Sequence, residues 1–116
     1  MAMTEPENLR APRFAVSVSA EVNLGKRVLP VQTKNLSETG VCLVSRSPLE
    51  EGGQVNLQLF LTEDGIEDPD APPLEVGANV IWASPGNDDD FLAGCHFSDL
   101  DSPKVKILQG FLGKLT

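Results

Sequence analysis

Several features that mark enzymes and membrane proteins are absent from this sequence. The chain of 116 residues has one histidine and two cysteines, too few for a metal site built from histidines and spaced cysteines. It has no glycine-rich phosphate loop followed by lysine. Its apolar runs are only a few residues long, and its N-terminus is polar and acidic, unlike a secretory signal. We therefore expect a non-enzymatic, cytoplasmic protein without a cofactor, a bound metal or a membrane-inserted segment.

Positive charge is absent from a long stretch in the middle of the chain. Residues 47–101 contain thirteen acidic residues and no lysine or arginine, and the net charge is −8. Such a balance argues against general binding to DNA or RNA, which requires a cationic surface that displaces counterions. Residues 8–46 instead hold six basic and two acidic residues. This asymmetry fits a small anionic ligand near the basic segment and equally fits ordinary solubility patterning.

The isolated reactive side chains have structural interpretations. Cys42 and Cys95 lie in apolar, strand-like segments, where a packed free thiol is the common finding and a disulfide or redox role is the alternative. His96 falls on the polar phase of its segment and is expected at the surface. Asp88, Asp89 and Asp90 are consecutive, whereas a calcium loop spaces its ligands, so they indicate a solvated turn.

Alternation of apolar and polar residues predicts a β-barrel. Six segments are predicted to be strands, and they are 14–24, 28–34, 41–45, 55–61, 74–82 and 91–97, of which 41–45 is a short run with little polar interruption. Six strands with short connections favour a closed antiparallel barrel, because closure removes exposed sheet edges. Trp82 is then expected in the core, and Pro30, which has no N–H, predicts an edge position or a bulge in the second strand. The acidic connection 62–73 is predicted to be a solvated hairpin loop.

A single helix is predicted at the C-terminus. Asp101 is placed as an N-cap, and Pro103 lies in the first turn. Apolar residues follow at helical spacing, and they are Val105, Leu108, Phe111, Leu112 and Leu115. We interpret this stripe as a cover for the barrel core, with a partner-binding face as the alternative. The predicted fold is all-β with one C-terminal helix: a flexible lead-in over 1–8, then one domain over 9–116, with the barrel at about 14–98 and the helix at about 102–115.

Segment 35–40 has both a structural and a chemical interpretation. The Asn35 and Ser37 side chains are suited to bonding nearby backbone groups in a tight turn, and Gly40 permits positive φ or the close approach of another group. The same amide, hydroxyl and backbone groups are able to meet the polar edge of a planar base. Arg10 and Arg13 are the candidates to hold the phosphate of such a ligand.

These residues match two motifs of a known family. Asn35, Ser37 and Gly40 fit the pattern Asp/Asn-x-Ser-x-x-Gly, and Arg13 fits the second arginine of Arg-x-x-x-Arg before the first strand. Both motifs, in this order and on a pattern of six strands and a helix, resemble the PilZ domain family of bacterial cyclic di-GMP receptors. The resemblance covers about residues 9–115.

The resemblance implies a split-barrel type of fold and a cyclic di-GMP ligand held by Arg10, Arg13, Asn35, Ser37 and Gly40. In the family, the arginines hold the phosphates and stack on guanine, while the turn contacts the base edges. This chain has Leu9 in place of the first motif arginine, and we expect Arg10 to take over its role. The expected protein is a single-domain receptor or adaptor in bacterial motility, type IV pilus or biofilm regulation. The alternative is a degenerate PilZ domain that does not bind the nucleotide and acts through an unidentified protein partner.

Overall fold

Six strands form a barrel and one helix follows them in the computed structural model. The structure describes residues 13–61, 73–98 and 100–114. The elements are β1 (Ser19–Asn23), β2 (Val28–Leu36), β3 (Gly40–Ser45), β4 (Gln54–Leu59), β5 (Leu74–Pro85), β6 (Phe91–Phe97) and α1 (Ser102–Gly113). The strand order is β1-β2-β3-β6-β5-β4, and β4 pairs with β1 to close the barrel. The predicted fold class is therefore confirmed. The lead-in over 1–8 and most of the acidic connection after β4 lie outside the described residues.

Strand alternation places one apolar face of the sheet inside the barrel. Every strand contributes to one buried cluster, whose fully enclosed side chains include Val22, Leu36, Leu43 and Leu57. β5 is the longest strand and serves two neighbours, because its first half pairs with β4 and its second half with β6. The outward phase carries polar or exposed residues, as expected of a sheet with one solvated face.

Helix α1 covers the barrel core as predicted. The Asp101 side chain accepts a hydrogen bond of 3.1 Å from the Lys104 backbone N–H, which satisfies one of the free donors at the helix start. Leu108, Phe111 and Leu112 are buried in the same cluster as the barrel side chains. Leu115 of the predicted stripe lies outside the described residues. Within the described ranges, no helix has the length and apolar character needed to cross a bilayer.

The predicted long strand over 14–24 is interrupted, and this part of the prediction is wrong. Only Ser19–Asn23 forms a regular strand, while Phe14 makes an isolated bridge to Leu36. In the segment between Phe14 and β1, the Thr33 hydroxyl takes the place of a backbone hydrogen-bond partner. It accepts a hydrogen bond from the Val18 N–H at 2.9 Å and donates one to the Val16 carbonyl at 2.6 Å. The interruption follows from a bulge in β2, which shifts the register by one residue before the Phe14 bridge.

Trp82 does not lie in the core, contrary to the sequence prediction. Its side chain is 41% exposed, whereas Val80 is fully buried. The register between β5 and β6 shifts between these two residues, so Ile81 and Trp82 both face outward. Trp82 pairs with Gly94, and a Cβ on Gly94 would collide with the indole nitrogen. The missing side chain of Gly94 therefore lets the indole lie against β6 on the outer surface.

Pro30 is tolerated for a different reason from the one predicted. β2 pairs with both β1 and β3, so it is not an edge strand, and its bulge lies between Thr33 and Asn35. In an antiparallel strand, the backbone groups of alternate residues point to the same neighbouring strand. The Thr33 N–H donates to the carbonyl of Val18, just before β1, so the backbone nitrogen of Pro30 points toward β3. The β2–β3 ladder ends at Val31, one residue after Pro30, so the missing N–H leaves no gap in it.

Candidate functional site

The turn between β2 and β3 is organised by the Ser37 side chain. Its hydroxyl oxygen accepts hydrogen bonds of 3.1 Å from the backbone N–H groups of Thr39 and Gly40. The Ser37 N–H donates to the Gly40 carbonyl at 2.9 Å, and the side chain is only 1% exposed. Ser37 therefore fixes the turn from within, as expected of a serine that bonds its own backbone. Its predicted role toward a ligand stays a prediction, and the geometry gives it a positioning function.

Gly40 is required by a close backbone approach. It opens β3 opposite His96 of β6, and a Cβ at this position would collide with the carbonyl oxygen of Cys95. Of the two interpretations of this glycine, positive φ and close approach, the structure shows the second. The missing side chain of Gly40 therefore allows the start of β3 to lie close to the backbone of β6.

The Arg13 and Asn35 side chains are in contact near the C-terminal end of β2. The Arg13 guanidinium donates from Nη1 to the Asn35 side-chain oxygen at 2.9 Å. Backbone hydrogen bonds of 2.9 Å between Phe14 and Leu36, one in each direction, hold the two neighbours side by side. Arg13 is exposed and Asn35 is half-buried. This bond uses one of the two lone pairs of the Asn35 oxygen, and the Asn35 NH₂ group keeps its donors for a ligand acceptor.

A transverse row of residues extends from Asn35 across the barrel. Asn35 pairs with Cys42, Cys42 with Gly94, and Gly94 with Trp82, on four neighbouring strands. We call Asn35, Cys42, Gly94 and Trp82 the outer-face row. A bulge lies at each end of it, in β2 and in β5, and brings an additional side chain to the surface. The row therefore places a polar amide and a flat aromatic ring on one face, separated by residues with small side chains.

Both cysteines are free and buried, which confirms the prediction for these residues. Burial raises the pKa of Cys95 to about 12, and the nearby Cys42 thiol adds to this effect. Burial also raises the pKa of Cys42, against the opposing positive charges of Lys34 and Arg13. Since the thiolate is the reactive form of cysteine, neither residue is activated as a nucleophile.

The remaining polar candidates form no metal-binding group among the described residues. His96 is exposed, as predicted. Within the residues that the structure describes, no three histidine, cysteine or acidic side chains come together in a metal-binding arrangement. An open depression of about 620 Å³ lies over β1, β2 and β3 near Pro30 and Arg46, and none of the predicted ligand residues lines it. The predicted ligand residues therefore lie outside this depression.

A polar contact connects the site to the helix. The Gln109 side-chain amide donates to the Glu38 carboxylate at 2.9 Å, which ties α1 to the turn between β2 and β3. Both side chains are near the surface, so the contact adds little stability. It does place the C-terminal half of α1 beside the candidate site.

Of the five predicted ligand residues, the structure brings four together. Arg13, Asn35, Ser37 and Gly40 lie on β2, on β3 and in the segments beside them. Arg10 lies outside the described residues, and its role stays a prediction. Trp82 was missed as a surface residue, because strict alternation assigns it to the core. A β-bulge leaves no residue-type signal that would have corrected this assignment.

Comparison with known proteins identifies the fold. Solved structures with the same architecture include the PilZ domain of YcgR from Escherichia coli with c-di-GMP, at 14% identity and a TM-score of 0.70, over 91% of this chain and 89% of that one. The inhibitor of motility MotI/DgrA of Bacillus subtilis matches at 14% identity and a TM-score of 0.73, over 91% of this chain and 50% of that one. PlzA of Borreliella burgdorferi, in complex with c-di-GMP, matches at 14% identity and a TM-score of 0.63, over 94% and 52%. This chain thus spans about half the length of MotI/DgrA and PlzA.

The family assignment rests on sequence as well as on fold. No curated protein matches the chain at a significant level. The family model of the PilZ domain, in contrast, matches residues 7–114, which include both motifs, all six strands and α1. The sequence resemblance is therefore confirmed, and the chain belongs to the PilZ domain family.

Proposed function

We propose that this protein is a cyclic di-GMP receptor that binds its ligand on the outer face of the barrel around Arg13 and Asn35. The observation that carries the proposal is the 2.9 Å hydrogen bond between these side chains, held in place by the Phe14–Leu36 bridge. This hydrogen bond holds the Arg13 guanidinium beside the Asn35 side-chain amide, which is the motif group that would contact a base. The E. coli and Borreliella members of the same fold were solved with c-di-GMP.

The residues supply the contacts that a cyclic dinucleotide requires. Arg13 offers a planar, permanently charged fork to a phosphate, and Arg10 would add a second cation from the preceding segment. The Asn35 NH₂ group is a donor for acceptor atoms on the base edge, such as O6 or N7 of guanine. Trp82 at the far end of the outer-face row offers an aromatic face for stacking, typically worth about 1–3 kcal/mol per base. Ser37 and Gly40 would hold the turn in shape beneath the ligand.

The expected affinity of the protein for cyclic di-GMP is weak. An exposed site with one arginine in motif register should bind in the micromolar range or more weakly, a binding free energy of about −8 kcal/mol or less favourable. Titration calorimetry on the full chain measures this directly. Arg13→Ala should weaken binding more than Arg10→Ala, because only Arg13 stands in register. Nanomolar affinity would show that Leu9 does not weaken binding. Absence of binding at high ligand concentration would contradict the receptor proposal.

Restoring the first motif arginine should strengthen binding. Leu9→Arg is expected to raise the affinity about tenfold or more, since a charge-assisted contact contributes about 1.5–3 kcal/mol and about 1.4 kcal/mol corresponds to one decade. The gain should shrink at high salt, where exposed charges are screened within a few ångströms. Ala11→Arg is the matched control, because it adds the same charge out of register. A folded Leu9→Arg protein that still shows no binding would mean that the site is defective for another reason.

A ligand-independent interaction module is the second candidate function. Two observations favour it. Leu9 stands where the family motif has an arginine, and the apolar side chains of Ile81 and Ile107 are exposed, at 58% and 54%. In this version, the PilZ surface would contact a protein partner directly. In either version we place the protein in the bacterial cytoplasm, as an adaptor in motility, type IV pilus or biofilm regulation. The calorimetric titration separates the two, because only the receptor releases or absorbs heat with the nucleotide.

A further inference from the structure

Lys34 is the extra residue of the bulge in β2. Thr33 pairs with Leu43 and Asn35 pairs with Cys42, so Lys34 has no partner of its own on β3. In a bulge of this kind, two residues of one strand stand opposite a single residue of the other. Lys34 and Asn35 therefore share Cys42 as their neighbour across the strands.

The bulge also determines the direction of the Lys34 side chain. Thr33 and Leu36, on either side of the pair, are both buried within the barrel wall. Lys34 is exposed and Asn35 is half-buried, so the two consecutive residues face outward together. A regular strand would instead direct one of them toward the core. The lysine thus lies on the same surface as the Arg13–Asn35 pair.

A second observation supports this placement. The positive charges of Lys34 and Arg13 both act on the Cys42 thiol, where they oppose the increase in pKa that burial causes. Two cationic groups therefore approach the same residue of the outer-face row, at the position next to Asn35. A bound anion would be favourable beside two such positive charges.

The two cations have no acidic partner among the residues that the structure describes. Within the described part of the chain, neither Lys34 nor Arg13 forms an ion pair, whereas Arg46 at the end of β3 lies 3.5 Å from the Asp90 carboxylate. Arg13 is bonded instead to a neutral amide. In a protein with a net charge of −8, two cations on one surface with no acidic partner in the described segments are compatible with binding of an anion there.

We propose that Lys34 binds a phosphate oxygen of the cyclic dinucleotide, beside Arg13 and on the bulge that also presents Asn35. This inference rests on the proposed function and adds a residue that neither motif contains. A lysine ammonium is a compact charge on a flexible stem, and it reaches a phosphate without the fixed geometry that a guanidinium requires. Because a cyclic dinucleotide is a dianion, more than one cation in the site has a charge to neutralise.

The test compares Lys34→Gln with Lys26→Gln by calorimetric titration with cyclic di-GMP at low and high salt. Lys26 is the matched control, an exposed lysine in the turn between β1 and β2. Lys34→Gln should weaken binding about fivefold at low salt, corresponding to an exposed ion pair of about 1 kcal/mol, and should reduce the dependence of affinity on salt. Lys34→Arg should keep most of the affinity. Thermal unfolding should be unchanged in all three variants.

The outcomes separate this inference from the function on which it rests. If Asn35→Ala weakens binding while Lys34→Gln behaves like Lys26→Gln at both salt concentrations, the role of Lys34 is wrong and the receptor function stands. If the unmodified protein does not bind cyclic di-GMP, both are wrong. A loss of affinity in Lys34→Gln with an unchanged salt dependence would also contradict a phosphate contact, because a lost charge must alter the screening.

Discussion

A chain that ends after Ser102 is expected to lose cooperative unfolding and to associate in solution. The truncation removes Leu108, Phe111 and Leu112, which are buried against the barrel. Burial of one such side chain contributes about 1.5–3 kcal/mol. The summed loss is comparable with the entire stability of a small domain, about 5–15 kcal/mol. Thermal unfolding followed by circular dichroism and size-exclusion chromatography would detect both effects.

Point substitutions in α1 provide the matched comparison. Leu108 is buried, whereas its neighbour Ile107 is 54% exposed on the same helix. Leu108→Ala should destabilise the protein by about 2–5 kcal/mol, while Ile107→Ala should change stability by no more than about 0.5 kcal/mol. A truncated protein that stays monomeric and melts cooperatively would contradict the core role of the helix. It would indicate instead that α1 is a detachable element for a partner.

Substitution of Gly40 is expected to damage the fold and the site together. Its new Cβ would collide with the Cys95 carbonyl, which belongs to a paired strand and is not free to move. Overpacking of this kind costs about 1–3 kcal/mol, and more where the backbone must shift. Gly40→Ala should therefore lower the melting temperature and disturb the Ser37 hydrogen bonds of the turn. Thermal unfolding measures the first effect, and the NMR signals of the backbone amides of residues 37–40 report the second.

Gly110→Ala is the control for this experiment. A Cβ on Gly110 meets no neighbouring atom, and the residue lies within α1. Because alanine is the better helix former by about 1 kcal/mol, this substitution should stabilise the protein slightly. Opposite signs for the two alanines are therefore expected. A Gly40→Ala protein as stable as the unmodified chain would show that β3 and β6 do not approach each other as closely as described.

The sequence predicted the barrel and the helix because both depend on regular periodicity. Alternation and one short apolar run located the six strands, and Asp101 with Pro103 marked the start of α1. Errors arose where periodicity breaks. The bulge next to Lys34 divided the first predicted strand, and the bulge next to Ile81 turned Trp82 outward. These bulges depend on how neighbouring strands pair, which local residue preferences do not determine.

The candidate site was only partly readable for a related reason. The types of Arg13, Asn35, Ser37 and Gly40 indicated their chemistry. Their division of labour required the tertiary structure: Ser37 bonds within the turn, Gly40 makes room for β6, and Asn35 meets Arg13. Trp82 and Lys34 joined the same surface only through the bulges. Sequence motifs therefore indicated the centre of the candidate site, and strand pairing indicated the residues proposed at its edges.

Titration of the ¹⁵N-labelled protein with cyclic di-GMP, followed by two-dimensional NMR, tests the central claim most directly. The account predicts saturable shifts at the Asn35 side-chain amide, the Trp82 indole N–H and the backbone amides of residues 34–42. The turn around Gly25, which lies at the other end of β2, should remain unchanged. No saturable shift at high ligand, or shifts confined to a surface without Arg13 and Asn35, would contradict the account.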